Sequence, residues 1–306
     1  MPDCSGVRLL SLLGTLILIA WGAMGCTRGL VPIIEGGALL PSTLTAAAAV
    51  TRTPIYLFTP GPGYQFPHAV FGIPEGNSLT IRQVAGVSGG DLGELDFDRR
   101  GLVLTGDATN LGSSTWVEIL RPSGGSGWVS SANLTQDVPS AAFCADPRVP
   151  TLVETLRTSL AGRDAGALQP LIDPRRGLIV RIDWRNPEVA FGPSQLPELF
   201  TGDESRSWGT LVSGGAIQGP FKEVILPRLG EIAGGELSLA CNETLIGPTL
   251  REARWPSEYT NLNYYALYRP AETAGSEYAW STWLVGIEYV DNQPYVSHLV
   301  QLRAGI

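Results

Sequence analysis

The sequence contains few side chains typical of catalytic sites, and its two histidines are the first candidates. His68 falls within a Gly- and Pro-rich turn region, so we expect it in an exposed loop. His298 lies in an alternating apolar run after Asp291-Asn292, a pair that favours a hairpin turn. The alternation puts His298 on the apolar face with Val296, where it could touch a ligand or act as an acid or base. The other interpretation is a core histidine bonded to a buried carbonyl or hydroxyl.

The register of this hairpin decides which groups could assist His298. A turn at 291–292 pairs Val285 with His298 and Ile287 with Val296, and it leaves Glu288 on the opposite face of the sheet. Further candidates for glycoside cleavage are the carboxylates Asp173, Asp183, Glu188 and Glu258, but no spacing singles out a facing pair. The sequence holds no HExxH motif and no Cys or His spacing typical of zinc. We therefore predict no catalytic residue, no metal site and no cofactor.

The beginning of the chain has the order of a secretory signal. Met1–Arg8 is short and polar with one basic residue, Leu9–Ala20 is largely apolar, and small residues lead to Gly25-Cys26. Ala23-Met24-Gly25-Cys26 resembles the lipobox of bacterial lipoproteins, although Ala23 replaces the usual Leu and Met24 a small residue. The resemblance implies removal of residues 1–25, a lipid anchor on Cys26 in the cell membrane, and an extracytoplasmic location for the rest. An uncleaved N-terminal membrane anchor is the alternative.

Export changes what is expected of the four cysteines. Cys4 would be removed and Cys26 lipidated, which leaves Cys144 and Cys241 as an even pair in an oxidising compartment. We predict that this pair forms a disulfide; two buried free thiols are the alternative.

Composition favours short strands and argues against a nucleic-acid partner. Charged residues make up 16% of the chain, beside 37 Gly and 23 Pro, a balance that suits strands and turns better than long surface helices. The net charge of −8 comes without the clustered Lys and Arg that phosphate binding needs. Residues 26–53 have no sustained apolar period and are predicted to be a flexible tether.

Residues 54–137 contain the signals of short strands separated by Gly-rich turns. The predicted strands are Ile55–Phe58, Leu79–Arg82, Gly101–Thr105, Trp116–Ile119 and Gly127–Ser130. About five such strands in so short a segment indicate a small β-barrel.

Motifs in this segment resemble the bacterial SH3-like domain. They are Gly61-Pro62-Gly63, Ile73-Pro74-Glu75-Gly76, and Gly127-Trp128-Val129 followed by a short helical turn. The resemblance implies an all-β SH3-like small barrel whose ligand is cell-wall peptidoglycan or another envelope protein. Tyr64, Phe66 and Trp128 would flank its groove, and residues 83–101, interpreted as an inserted loop, would form one wall. Alternatively, Trp128 closes the small core and the groove is empty.

The pattern of helix and strand signals in residues 138–306 predicts an α+β domain. Helices are expected from Thr151, from Asp164, over 194–200, and over 221–229 with an interruption at Pro227. Strands are expected at 178–182, 189–191, 237–241, 264–269, 280–290 and 295–302. This order predicts helices packed on one face of an antiparallel sheet. It resembles the cystatin-like roll of nuclear transport factor 2 and ketosteroid isomerase, in which the apolar face lines a cavity.

The aromatic side chains between Trp255 and Tyr295 could stack on sugars, or they are ordinary strand and core residues. Together these features predict a membrane-anchored envelope lipoprotein that is a non-catalytic binding or scaffolding module. Its SH3-like domain would contact the cell wall or an envelope protein. The alternatives are a small-molecule-binding or enzymatic roll with a site near His298, and a purely structural part of a surface assembly.

Overall fold

The computed structural model describes residues 66–249, 252–271 and 278–304. Cys26, Tyr64 and the predicted strand Ile55–Phe58 lie outside these ranges, so their assignments stay predictions. The described chain mixes helices and strands, and strands predominate. Within these ranges, no helix has the length and apolar character needed to cross a membrane.

Seven short strands form the N-terminal part of the described chain. They are β1 (His68–Val70), β2 (Ser78–Arg82), β3 (Asp91–Asp96), β4 (Leu104–Leu111), β5 (Ser114–Leu120), β6 (Ser126–Ser130) and β7 (Leu134–Gln136). Five form a sheet in the order β3-β2-β6-β5-β4, and β1 pairs with β7. Alternate residues such as Leu79, Ile81 and Val129 point into one apolar core. Gly127 allows close passage of β6, because a Cβ there would lie 2.4 Å from Cγ2 of Ile81.

The segment 83–101, interpreted from the sequence as an inserted loop, contains a strand. Its middle, β3, is an edge strand that pairs antiparallel with β2. The strand pattern was hidden because Leu92 and Leu95 are the only large apolar residues among glycine and acidic neighbours. The predicted strand at 101–105 is also displaced: β4 begins at Leu104, and Leu102 instead bridges to His68.

The end of this segment agrees with the sequence prediction. The strand expected at 127–130 is present as β6, and a short 3-10 turn at Ser131–Asn133 follows it. His68, by contrast, is not in an exposed loop, because it belongs to β1 and is only 8% exposed.

Five helices lie in the described part of the C-terminal segment. They are α1 (Ser140–Ala145), α2 (Arg148–Gly162), α3 (Ala165–Leu168), α4 (Phe221–Val224) and α5 (Leu226–Ala233). The Asp164 side chain caps α3 by accepting a hydrogen bond from the Ala167 amide at 2.9 Å, as expected. Thr151 does not begin a helix, since α2 starts at Arg148. The helix predicted over 194–200 is a 3-10 stretch, Pro193–Glu198. Pro227 lies in the first turn of α5, which explains the break between α4 and α5.

The remaining strands are β8 (Leu178–Ile182), β9 (Val189–Phe191), β10 (Arg206–Thr210), β11 (Ala216–Gly219), β12 (Ser238–Cys241), β13 (Asn263–Arg269), β14 (Ser281–Val290) and β15 (Gln293–Leu302). Six of them form one sheet in the order β12-β13-β14-β15-β8-β9. The sheet is not wholly antiparallel as predicted, because β15 and β8 run parallel. The β10–β11 hairpin was not predicted and forms a separate small sheet.

The two faces of the large sheet have different coverings. Trp283, Val285 and Ile287 share a core with the helices, as their alternation predicted. Leu284 and Val300 on the opposite face share a second core with the 255–264 segment and with Phe71 from the N-terminal part. Residues on both sides of position 137 therefore contribute to one continuous packed unit.

The predicted disulfide between Cys144 and Cys241 is confirmed, with the two Cα atoms 5.8 Å apart. It links α1 to the edge strand β12. Beside it, the Asn242 amide donates a hydrogen bond of 2.7 Å to the Ser140 hydroxyl. The disulfide thus fixes an exposed edge of the sheet to the helical layer.

Candidate functional site

The β14–β15 hairpin that carries His298 turns where the sequence predicted. Asp291 and Asn292 have φ values of 49° and 63°, which a tight hairpin turn requires and which Asp and Asn tolerate. Ile287 pairs with Val296 as expected, but His298 pairs with Gly286 rather than with Val285. Ser297 is the extra residue of a β-bulge at this point, and one extra residue reverses the facing of every side chain beyond it.

This bulge corrects the predicted surroundings of His298. Val296 lies in the core beneath the helices, whereas His298 shares its face with Val300 and with Glu288. The prediction that Glu288 and His298 occupy opposite faces is therefore wrong. Gly286 makes room for the imidazole, because a Cβ there would approach Cβ of His298 to 2.9 Å.

His298 is packed into the junction between the N-terminal strands and the large sheet. It has no exposed surface, and its ring centroid lies 5.4 Å from that of Phe71 and 4.4 Å from that of Tyr259. Its Nδ1 is 2.8 Å from the Ser297 hydroxyl. Burial, together with the nearby Arg176 guanidinium, holds the pKa of His298 well below its usual value. The imidazole is consequently neutral at physiological pH and is fully enclosed by protein.

Arg176 and Glu288 form a buried ion pair at the same junction. Arg176 Nε donates to Glu288 Oε1 at 2.6 Å, and the guanidinium also donates to the backbone carbonyls of Ala132 at 3.1 Å and Leu134 at 3.3 Å. The guanidinium lies 4.0 Å from the Phe71 ring centroid. The second Glu288 oxygen accepts from the Thr135 hydroxyl at 3.1 Å. These groups join the two parts of the chain and are not presented to solvent.

Asp173 stabilises the turn that positions Arg176. Its Oδ1 accepts the backbone amides of Arg175 at 2.7 Å and Arg176 at 2.9 Å. Asp173 itself is fully buried. The carboxylate is thus occupied by its own turn, as is typical of Asp in such positions.

His68 lies on the other side of Arg176. Burial, reinforced by the Arg175 charge, lowers the pKa of His68 to about 4. It lines a small pocket of about 20 Å³ with Ser131, Arg175 and Arg176. That space has room for about one water molecule. It is too small for a ligand.

Of the groove residues predicted from the sequence, the structure describes Phe66 and Trp128. Trp128 is half-buried on the outer face of the five-stranded sheet, opposite Arg82 on one side and Glu118 on the other. Its neighbour Val129, and not Trp128, fills the core. Phe66 is half-buried just before β1, which belongs to a different sheet. Tyr64 lies outside the described residues.

A cleft of about 410 Å³ opens where turns of the N-terminal part meet the segment before β13. It is lined by Glu75, Phe97, Trp184, Arg254, Trp255, Pro256, Ser257, Glu258 and Thr260. Phe97, Trp184 and Trp255 are half-buried and form its aromatic walls. Its size lies within the range of small-ligand sites.

Hydrogen bonds fix the walls of this cleft to one another. The Glu75 amide donates to the Ser257 hydroxyl at 3.2 Å, and the Gly72 amide donates to the Glu258 carbonyl at 2.8 Å. Trp255 Nε1 donates to the Tyr259 carbonyl at 2.7 Å, and the Trp255 ring stacks on Tyr264 with centroids 4.7 Å apart. The cleft is therefore held in shape without a ligand.

The charges around the cleft are largely paired. Glu258 accepts from Arg181 at 2.6 Å, and Arg254 pairs with Glu252 at 2.5 Å. The guanidinium carbon of Arg254 lies 5.7 Å from the Trp184 ring centroid. Within the described ranges no cation forms an ion pair with Glu75, whose side chain is exposed.

Sequence reasoning missed this cleft because its residues come from four distant turns. Trp255 and Glu258 were noticed only as members of larger sets. One available signal was Trp184, a large aromatic residue in the polar run Asp183-Trp184-Arg185-Asn186-Pro187, where turn composition leaves an apolar ring partly exposed.

Comparison with known proteins identifies no relative: no family model, no curated protein and no solved structure matches this chain. Among the residues that the structure describes, no three His, Cys, Asp or Glu side chains are grouped as metal ligands.

Proposed function

We propose that this chain is an exported, non-catalytic binding protein of the cell envelope, held at the membrane by a lipid on Cys26. Its ligand occupies the cleft walled by Phe97, Trp184 and Trp255. The observation that carries the proposal is that this cleft of about 410 Å³ is preshaped by bonds between the N-terminal part and the C-terminal part.

The architecture we propose is an SH3-like barrel followed by an α+β domain of the cystatin-like roll type. Support for the barrel comes from its separate apolar core and from the 3-10 turn between β6 and β7. Support for the roll comes from helices packed on one face of the six-stranded sheet. The barrel then serves as one wall of the ligand site rather than as an independent module.

A binding role is favoured over catalysis by the use made of the ionisable groups. Glu288 and Arg176 pair with each other, Asp173 caps its own turn, and His298 is enclosed by aromatic rings. General acid–base work needs a group within hydrogen-bond reach of a substrate. Each of these groups instead stabilises the junction.

Retention on purified cell-wall sacculi tests the proposal. Full-length protein should sediment with sacculi, and Trp184→Ala should reduce the sedimented fraction. Tyr278→Ala is the matched control, because Tyr278 is an aromatic residue that is 67% exposed and outside the cleft lining. A wild-type protein that stays in the supernatant would contradict the proposal. Equal sedimentation of Trp184→Ala and Tyr278→Ala would contradict its placement at the cleft.

A further inference from the structure

The walls of the cleft offer flat apolar surfaces. Phe97, Trp184 and Trp255 come from three separate turns, line the cleft and are each partly exposed. Trp255 cannot swing freely, since its indole N–H and one ring face are engaged by Tyr259 and Tyr264. Rigid aromatic side chains give contact area at a low entropic cost. The ligand must therefore present flat apolar faces of its own.

The electrostatics of the cleft disfavour an anionic ligand. Glu258 is neutralised by Arg181, and Arg254 by Glu252. An anionic ligand would have to compete with one of these carboxylates for its guanidinium or remain uncompensated beside Glu75, and both cost affinity. The exposed Glu75 carboxylate remains available as a hydrogen-bond acceptor.

The backbone around the cleft disfavours a peptide that binds by adding a strand to a sheet. Such a peptide bonds through its backbone to the edge of a strand. The cleft residues lie instead in turns, in a 3-10 segment at Ser257–Tyr259 and in irregular backbone. What they offer is a carboxylate and two hydroxyls, from Glu75, Ser257 and Thr260.

We propose that the ligand of this cleft is a neutral sugar chain. This inference rests on the proposed function and names its ligand class. A pyranose ring has an apolar C–H face that stacks on an indole and hydroxyl groups around its rim that donate to a carboxylate. Trp184 and Trp255 supply the stacking surfaces, and Glu75 accepts hydrogen bonds from the rim. Two aromatic walls on separate turns suit consecutive sugar rings of one chain.

Isothermal titration calorimetry with full-length protein tests this inference, with N-acetylated chito-oligosaccharides and cello-oligosaccharides as neutral probes. At least one probe should bind saturably to the wild type. Trp184→Ala should weaken that binding about tenfold, which is the effect of losing one well-placed contact residue. Glu75→Gln keeps the size of an exposed side chain and should weaken binding by a smaller factor. Tyr278→Ala should bind like the wild type, and equal thermal midpoints will show that all variants are folded.

A second titration separates failure of this inference from failure of the proposed function. Peptides released from sacculi are offered to the same protein, and each soluble probe is tested for release of sacculus-bound protein. Retention on sacculi that only the peptides reverse would overturn the sugar assignment and leave the binding role intact. The absence of both retention and oligosaccharide binding would overturn the two together. Oligosaccharide binding that Trp184→Ala leaves unchanged would also overturn the assignment, because the sugar would then bind elsewhere.

Discussion

Replacing Glu288 with Gln should lower the free energy of unfolding by about 3 kcal/mol, because it removes the carboxylate from a buried ion pair. Arg176 is 6% exposed and Glu288 is 1% exposed, so water cannot replace the lost partner. The carbonyls of Ala132 and Leu134 still accept from the guanidinium, which places the expected cost at the lower end of the range for a broken buried pair. The Phe71 ring at 4.0 Å gives the cation only a modest further interaction.

Urea unfolding followed by circular dichroism measures this change. The control is Glu252→Gln at the exposed pair with Arg254, where the loss should not exceed about 1 kcal/mol. Combining Glu288→Gln with Arg176→Met should recover part of the stability, since the apolar side chain carries no charge into the junction. If Glu288→Gln costs no more than Glu252→Gln, the buried pair does not hold the two parts together and the reasoning is refuted.

Three further outcomes are expected. Replacing Cys144 and Cys241 by Ser should lower the unfolding free energy by up to about 4.7 kcal/mol for a separation of 97 residues, and a reducing agent should destabilise only the wild type. Cys26→Ser should abolish acyl labelling in cells; persistent labelling would contradict the anchor. Folding lowers the pKa of His68 from 6.5 to about 4, so His68 binds a proton at a higher pH in the unfolded protein than in the folded protein. The free energy of unfolding should therefore decline from about pH 6.5 towards pH 4, and His68→Gln should flatten that decline. An equal decline in the wild type and in His68→Gln would contradict the lowered pKa of His68.

Strands that depend on local pattern were predictable from the sequence. The run Leu178–Ile182, which is apolar except for Arg181, predicted β8 to the residue, and Val189–Phe191 predicted β9. The Asp291-Asn292 turn followed from the positive φ that both residues tolerate. The hairpin Arg206–Thr210 with Ala216–Gly219 was missed because neither strand alternates clearly between apolar and polar residues.

Long-range register was not predictable in the same way. Ser297 fits an unbroken alternation as well as its neighbours do, so nothing local identifies it as the bulged residue. Without this bulge, the predicted register placed His298 and Glu288 on opposite faces of the sheet. The buried network around them was therefore not predicted. The cleft was missed for a related reason, because residues 75, 97, 184 and 255 are far apart in the sequence and line one site only in the folded chain.

The junction explains how a cleft built from turns can have a fixed shape. The Asn261 amide donates to the Val70 carbonyl at 2.8 Å and to the Phe97 carbonyl at 3.3 Å, so it ties an aromatic wall of the cleft to β1. Asn261 follows directly on the segment that carries Trp255 and Glu258. A turn on its own would lose conformational freedom when a ligand binds and would weaken affinity. One buried amide fixes turns from both parts of the chain, so folding already meets that entropic cost. On the proposed function, the N-terminal strands therefore raise the affinity for the ligand by holding these turns in place, without contacting the ligand through their core.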